Sequence, residues 1–450
     1  MTMDFDLIAI GSGTASSAAA SKCANAGWKV AVVDNLPFGG TCALRGCDPK
    51  KILRRGAEVV DAARLLTGKG IDPGTLSIDW PALMAHKRGF TEPMSTRIEE
   101  GLIADGVTTM HGLATFTGPT RLDVDGISHS ASHFLIATGA RPRPLPFPGA
   151  EHMIDSTAFL ELEALPERIL FIGGGFISFE FAHIAARAGS ETTILHHSAR
   201  PLRGFDPDLV RLLVDRSRAV GIDVRLDTAI SRIEAVDDRF QVHTVYAGKQ
   251  EVFDADLVVH GAGRIPDLDR LNLDAAGIAH DEHGVTVHPY LQSVSNPAVY
   301  AAGDAAHTPG PPLTPVAAIE GKVAASNMLK GGTVVPDYTG IPSAVFTVPE
   351  LTKVGLLEQE ARAQGIDLDV RHSDTSRWFS NYRTGETTAA AKILIDRATD
   401  RIVGAHLFGP EYAELVNTIA LAMKTGLTAR QVRSMTAAYP SVGSDLGHLL

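Results

Sequence analysis

Two thiols five residues apart, Cys42 and Cys47 in GGTCALRGCDPKK, are the side chains of this sequence best suited to redox chemistry. On a regular helix residues at that spacing stand about 8–9 Å apart at Cα, from ~1.5 Å of rise and ~100° per residue. A disulfide tolerates at most ~6.8 Å. If the two bond, the helix must break between them, and Gly46 and Pro49 are where a departure is easiest. A strained, solvent-reachable bond of that kind is readily reduced. A helix N-terminus with Arg45, Lys50 and Lys51 alongside is expected to favour thiolates. Two other readings stay open: a zinc site, for which no further Cys or His pair at metal spacing is present, and two unbonded buried thiols. Cys23 reads as a small core residue, and no metal ligand set is expected.

Gly11-Ser-Gly13-Thr-Ala-Ser16 and Gly173-Gly174-Gly175-Phe-Ile-Ser178 are two dinucleotide-binding turns. In such a turn the first glycine permits the sharp bend and the second lets backbone approach a pyrophosphate. The third position must be small so that helix can pack on strand. Asp34 lies 23 residues after Gly11, where a carboxylate can hold the hydroxyls of an adenosine ribose. The same count from Gly173 reaches His196. His197, Arg200 and Arg203 follow it, cations or near-cations suited to a 2′-phosphate, so NADPH is expected over NADH. A solvated basic loop is the alternative. Two dinucleotides on one protein imply a relay in which a flavin takes hydride from a nicotinamide.

Each turn needs a strand before it and a helix after it, and DFDLIAI…AASKCANAG and ERILFI…FAHIAARAG supply them. A third region from about residue 340 has strand patterns in IPSAVFTV, AKILID and RIVGAHLFG, and an amphipathic helix in EYAELVNTIALAMKTG. Proline-rich stretches near 137–150, 307–315 and 331–342 read as boundaries. With 450 residues the chain has room for about three domains. Lysine and arginine total 41 against 52 acidic residues, a formal charge of −11, which argues against a nucleic-acid partner. No apolar run approaches the ~18 residues of a membrane span and the start lacks a secretory pattern, so a cytoplasmic location is expected.

The two turns, the cysteine motif, ATG at 137–139, GRIPD at 263–267, YAAGDAA at 300–306, LTPVAAIEGK at 313–322 and FTVPELTKVG from Phe346 run through the whole chain. In this order they resemble the flavoprotein disulfide reductases, the group of glutathione reductase, dihydrolipoamide dehydrogenase and mercuric reductase. The resemblance implies an α/β fold with two Rossmann-like domains and a C-terminal α+β dimerisation domain. The FAD domain would comprise 1–147 and 276–337, the NAD(P)H domain 148–275 and the interface domain 338–450, in a homodimer. It implies a redox disulfide of Cys42 and Cys47, with Cys47 against the flavin and Cys42 attacking substrate. Lys51 and Glu180 resemble the ion pair beside the flavin, and Phe176 the aromatic gate over the nicotinamide pocket. FAD would be held by Gly11, Gly13, Ser16, Asp34, Gly40, Thr41, Thr138, Gly139 and Asp304. NADPH would be held by Gly173, Gly175, Phe176, His197, Arg200, Arg203 and Gly263. Electrons would pass from NADPH through FAD to the dithiol and on to a small disulfide.

The sequence departs from that family at one catalytic place. Thiol-exchanging members carry His-Pro-Thr-x-x-Glu near the C-terminus, and here the stretch is Tyr439-Pro440-Ser441-Val442-Gly443-Ser444. A phenol with a pKa near ~10 donates a proton but is a poor base. Asp445 and His448 are the nearby substitutes. The arginines that glutathione reductase uses for its substrate are replaced by Ser21 and Lys322, so a metal ion, a quinone or another non-disulfide acceptor is the alternative, with Tyr439 as proton donor.

Overall fold

The computed structural model describes residues 3–450, which form two compact units. The first comprises, among the described residues, 3–49, His86–Arg143 and Gly263–Tyr338. Its central sheet is parallel, with Phe5–Ile10 paired to Val30–Asp34 on one side and to Ile127–Ile136 on the other. Thr108–His111 extends it beyond Val30–Asp34, and Val299–Ala301 pairs along Ile127–Ile136. Leu7, Ile8, Val32, Val33 and Leu135 are buried, so these strands read as continuous apolar runs, as parallel strands covered on both faces do. Helix Thr14–Asn25 leaves the first glycine turn, and helix Thr314–Lys330 packs on it so closely that a Cβ at Gly321 would meet the Ala15 carbonyl. The proline-rich stretch at 307–315 lies inside this unit. It runs into the latter helix with Pro315 in the first turn, where a missing N–H is harmless.

The second unit comprises Lys50–Ala85, Pro144–Ala262 and Thr339–Leu450. Its parallel sheet orders Ile222–Arg225, Glu191–Leu195, Arg168–Ile172 and Leu257–His260, with helix Phe176–Arg187 following the second glycine turn. An antiparallel meander of Thr228–Val236, Arg239–Tyr246 and Lys249–Ala255 stands as a separate sheet. The C-terminal region is a five-stranded antiparallel sheet, Ser343–Val345, Glu350–Gly355, Arg401–Gly409, Ala390–Asp396 and Leu368–Asp374. Helix Tyr412–Thr425 covers it with Leu415, Val416 and Ile419 buried, the face its 3.6-residue periodicity marks.

Helix Cys47–Leu65 enters this unit at Lys50 and is tied down by buried charge. Asp61 accepts from Arg187 Nη2 at 2.8 Å and Arg216 Nη2 at 3.1 Å, and Arg216 reaches Glu386 at 3.2 Å. Three helices and the C-terminal region are thereby locked in register, since removing one member of such a network strands a charge in low dielectric. Among the described residues no helix is long and apolar enough to cross a membrane.

Candidate active site

The two thiols stand on either side of a break in the chain. Helix Gly40–Arg45 stops, Gly46 adopts φ −151°, ψ −106°, and helix Cys47–Leu65 begins with Pro49 in its first turn. A side chain at 46 would press its Cβ to 2.9 Å from the Thr41 carbonyl oxygen, so the break is a glycine position for steric reasons. Cys42 is half-buried, Cys47 is exposed, and the two thiols are hydrogen-bonded to each other. Thr314, the first residue of helix Thr314–Lys330, hydrogen-bonds Cys42 and brings its Oγ1 to 4.0 Å from Cys47 Sγ. Composition did not single out Thr314; only the fold carries it to the sulfurs. The hydrogen bond to Cys47 and then burial push the Cys42 thiol well up, the reverse of what the neighbouring cations led us to expect. The cations are engaged elsewhere, Lys50 and Lys51 with Glu180 and Arg45 in the field of Asp34.

Glu180, in helix Phe176–Arg187 and 2% exposed, collects both lysines that follow Cys47. Lys50 Nζ lies 2.6 Å from its Oε2 and Lys51 Nζ 3.3 Å, with side-chain exposures of 7% and 29%. The sequence pointed to Lys51; the shorter, drier contact is that of Lys50. The Phe346 N–H donates to the other carboxylate oxygen at 3.0 Å. Burial pushes the Glu180 carboxyl up, but the two ammonium groups and that N–H outweigh it and hold the group below the usual range. Phe176 is 46% exposed at the start of the same helix, with Lys50 Nζ 5.2 Å from its ring centroid.

In the first glycine turn Gly11 has φ +95°, and a Cβ there would meet the Ala137 carbonyl oxygen at 2.5 Å. Around Gly13 the only neighbour of an added Cβ is Gly40 Cα at 3.9 Å, so the space in front of the helix N-terminus is open to a phosphate. Asp34 Oδ2 accepts from the Ser12 N–H at 2.7 Å and Oδ1 from the Leu36 N–H at 2.9 Å. The hydroxyls of Ser16 and Thr138 are buried with no hydrogen-bond partner among the described residues, and Thr41 and Gly139 belong to the same unit. Burial pushes Asp304 up, with the Arg264 charge opposing. The turn Gly303–Ala305 that carries it is braced by Glu320, which accepts from the Gly303 N–H at 2.6 Å, Thr308 Oγ1 at 2.7 Å and the Tyr338 hydroxyl at 2.7 Å. An open turn over a helix N-terminus, a ribose-height carboxylate and orphaned hydroxyls fit an adenine dinucleotide such as FAD.

The second turn repeats the first. Gly173 has φ +110° and a Cβ there would lie 2.3 Å from the Gly261 carbonyl oxygen. Gly175 caps the helix start and Gly263 has φ +110°. Where Asp34 stands in the first copy, His196 Nδ1 accepts from the Gly174 N–H at 3.0 Å. His197 and Arg203 are exposed on the loop that follows. Arg200 is turned inward, its Nη2 donating to the Phe205 carbonyl at 2.8 Å and the Arg203 carbonyl at 3.2 Å, so it shapes the loop that presents the other two.

Tyr439 is 85% exposed. Neither nearby substitute stands ready as a base, for Asp445 is buried and accepts from Ser380 Oγ, and His448 packs edge-on to Trp378 at 6.0 Å. The fold thus gathers Cys42, Cys47 and Thr314 in the first unit, and Phe176, Glu180, Lys50 and Lys51 in the second. Among the described residues no cluster of three metal-ligating side chains occurs.

Comparison with known proteins agrees with these features. Residues 5–321 match the pyridine nucleotide-disulphide oxidoreductase family and residues 341–449 its dimerisation domain. Glutathione reductase of Burkholderia cepacia is 33% identical over 442 residues, covering 98% of this chain and 97% of that protein. Mercuric reductase of Staphylococcus aureus is 31% identical, covering 98% and 81%. The HOCl-induced flavoprotein disulfide reductase RclA from Escherichia coli superposes with a TM-score of 0.88 at 27% identity over 99% of both chains, and its Cu(II) complex with 0.89 at 26%, over 100% of this chain and 99% of that one. Two matched domains across nearly the full length, on a fold with both glycine turns and a contacting dithiol, make this chain an enzyme of the pyridine nucleotide-disulphide oxidoreductase family.

Proposed function

We propose that this enzyme, as a homodimer, passes electrons from NADPH through FAD to the Cys42–Cys47 pair and on to a low-molecular-weight disulfide. The observation that carries it is the contact between the two sulfurs across the Gly46 break, since sulfurs in mutual hydrogen-bonding contact can cycle between dithiol and disulfide. Asp34, Ser16, Thr138, Gly139, Gly40, Thr41 and Asp304 would hold FAD, which when bound supplies two-electron transfer between a nicotinamide and a dithiol. Lys50 and Lys51 keep Glu180 ionised, so a fixed charge pair stands beside Phe176, the aromatic gate. Cys42 is the sulfur that exchanges with substrate once its proton has passed across the contact to Cys47, since the thiolate is the nucleophile, and Cys47 is its resolving partner. Tyr439, exposed and without an orienting carboxylate, donates a proton to the departing thiolate.

NADPH is favoured over NADH by the second turn. No carboxylate stands at position 196 to repel a 2′-phosphate, and His197 and Arg203 face outward beside it. A higher specificity constant with NADH would overturn this preference.

A metal ion as acceptor is a second reading, favoured by the exposed phenol in place of a histidine base and by the Cu(II) complex of RclA. One acceptor panel separates the two. With NADPH as donor, disulfides should outpace Cu(II), Hg(II) and quinones in the wild type, and Tyr439→His should raise disulfide turnover by about 10². Preference for metal ions, with no gain in the variant, would replace the first reading by the second.

A further inference from the structure

The loop 196–206 that carries His197 and Arg203 ends at Asp206, the N-cap of helix Pro207–Ala219. Asp206 uses one oxygen for the helix, accepting from the Asp208 N–H at 3.0 Å and the Leu209 N–H at 3.3 Å. Its other oxygen accepts from Lys392 Nζ at 2.8 Å, and the same ammonium donates to Asp208 at 2.6 Å. Lys392 belongs to strand Ala390–Asp396 of the five-stranded sheet and its side chain is 5% exposed, against 1% for Asp206. Lys353, on a strand of the same sheet, lies 5.6 Å from the Phe205 ring centroid, and a Cβ at Gly204 would be 3.8 Å from its Nζ. The sheet therefore grips the last residues of the loop at consecutive points. The rest of the loop is set by its own backbone, with Leu202 at φ +47° donating its N–H to the Gly174 carbonyl at 2.9 Å.

A buried ammonium in the middle of a sheet is a poor choice for stability alone. Desolvating it can offset the whole Coulombic gain, and an apolar side chain of similar length would fill the space without that cost. What the ion supplies and an apolar residue cannot is a directed contact to both carboxylates at the end of the loop.

We propose that Lys392 is a positioning residue for the pyridine nucleotide: the C-terminal sheet anchors the far end of the loop through Asp206 and Asp208, and so sets how tightly the 2′-phosphate half of the coenzyme is held. The inference rests on residues 196–206 being the coenzyme loop, and the test separates the two. NADP⁺ is titrated into the FAD-loaded enzyme, with binding read from the flavin absorbance, and kcat and KM for NADPH are measured beside it. Lys392→Met raises the NADP⁺ dissociation constant and the NADPH KM by about tenfold or more, the scale of one lost charge-assisted contact, while kcat at saturating coenzyme moves by less than about threefold. Lys392→Arg, which keeps the charge, recovers part of the affinity. Arg203→Ala weakens binding whether or not Lys392 matters. Unchanged affinity in Lys392→Met with weakened affinity in Arg203→Ala overturns the role of Lys392. Unchanged affinity in both overturns the coenzyme loop itself, and the inference with it. If Lys392→Met does not fold, Asp208→Asn, at a half-buried surface position, decides the matter by the same titration.

Discussion

Glu180 is buried between two lysines, and the structure ranks them. At an effective dielectric of about 20 the Coulombic attraction is roughly 6 kcal/mol for Lys50 at 2.6 Å and roughly 5 for Lys51 at 3.3 Å, too close to separate them. Burial decides instead, because water reaches 29% of the Lys51 side chain and only 7% of Lys50. Lys50→Met should therefore leave Glu180 leaning on a screened partner and cost about 3–5 kcal/mol, lowering Tm by roughly 3–5 °C for a chain of this length. Lys51→Met should cost about 1 kcal/mol or less. Pairing Lys50→Met with Glu180→Gln removes the stranded charge and should be milder than Lys50→Met alone. The assay is thermal unfolding of the FAD-loaded enzyme by circular dichroism, run beside the rate of flavin bleaching by NADPH. The pH dependence supplies a second check. With its folded value depressed, the Glu180 carboxylate stabilises the fold above the ordinary carboxylate range, and that contribution disappears only as pH falls through the depressed value. A Lys51→Met variant as damaged as Lys50→Met, or a double variant worse than the single, would refute the ranking.

Other consequences are open to measurement. Cys47→Ser should abolish the long-wavelength flavin absorption produced by NADPH, which Cys42→Ser should keep; a full band in the Cys47 variant removes that sulfur from the flavin. Glu320→Ala frees the Gly303 N–H and should lower FAD retention on dialysis, read as the ratio of 450 to 280 nm absorbance at about the tenfold level in affinity; a fully loaded variant would contradict the brace. His406, fully buried on strand Arg401–Gly409, is driven by desolvation to a pKa of about 4. The unfolded chain takes up this proton near pH ~6.5, so stability should fall by roughly 3 kcal/mol between there and pH 4. That slope should be smaller in His406→Asn; an identical slope would show that the imidazole is not responsible.

Much of the fold was legible because the local signals agree with the tertiary result. The strand, glycine turn and helix around Gly11 and Gly173 appear as Phe5–Ile10 with Thr14–Asn25 and Arg168–Ile172 with Phe176–Arg187. Reach required a helix break between the cysteines if they were to bond, with Gly46 and Pro49 as its candidates, and the break falls at Gly46. What spacing did not reveal was direction. Lys50 and Lys51 are neighbours along the chain, and which of them makes the shorter, drier contact with Glu180 depends on how helix Cys47–Leu65 sits, held through Asp61 by Arg187 and Arg216 far downstream. Arg200 looked like a phosphate ligand by composition, and what spacing did not reveal is that its Nη2 donates to the short-range carbonyls at 203 and 205. Thr314 and Glu320 lie inside the LTPVAAIEGK motif, but their roles were not read from it, because their partners lie 267 and 17 residues away.

The two glycine turns share one backbone design and differ in electrical character at one side chain, an anion in Asp34 and an imidazole in His196. Burial holds His196 below its ordinary titration range, so the second copy stays uncharged there through neutrality. Under the proposed function, molecules with the same adenosine half would be sorted by that contrast between duplicated parts, an anion in one copy and a neutral ring in the other.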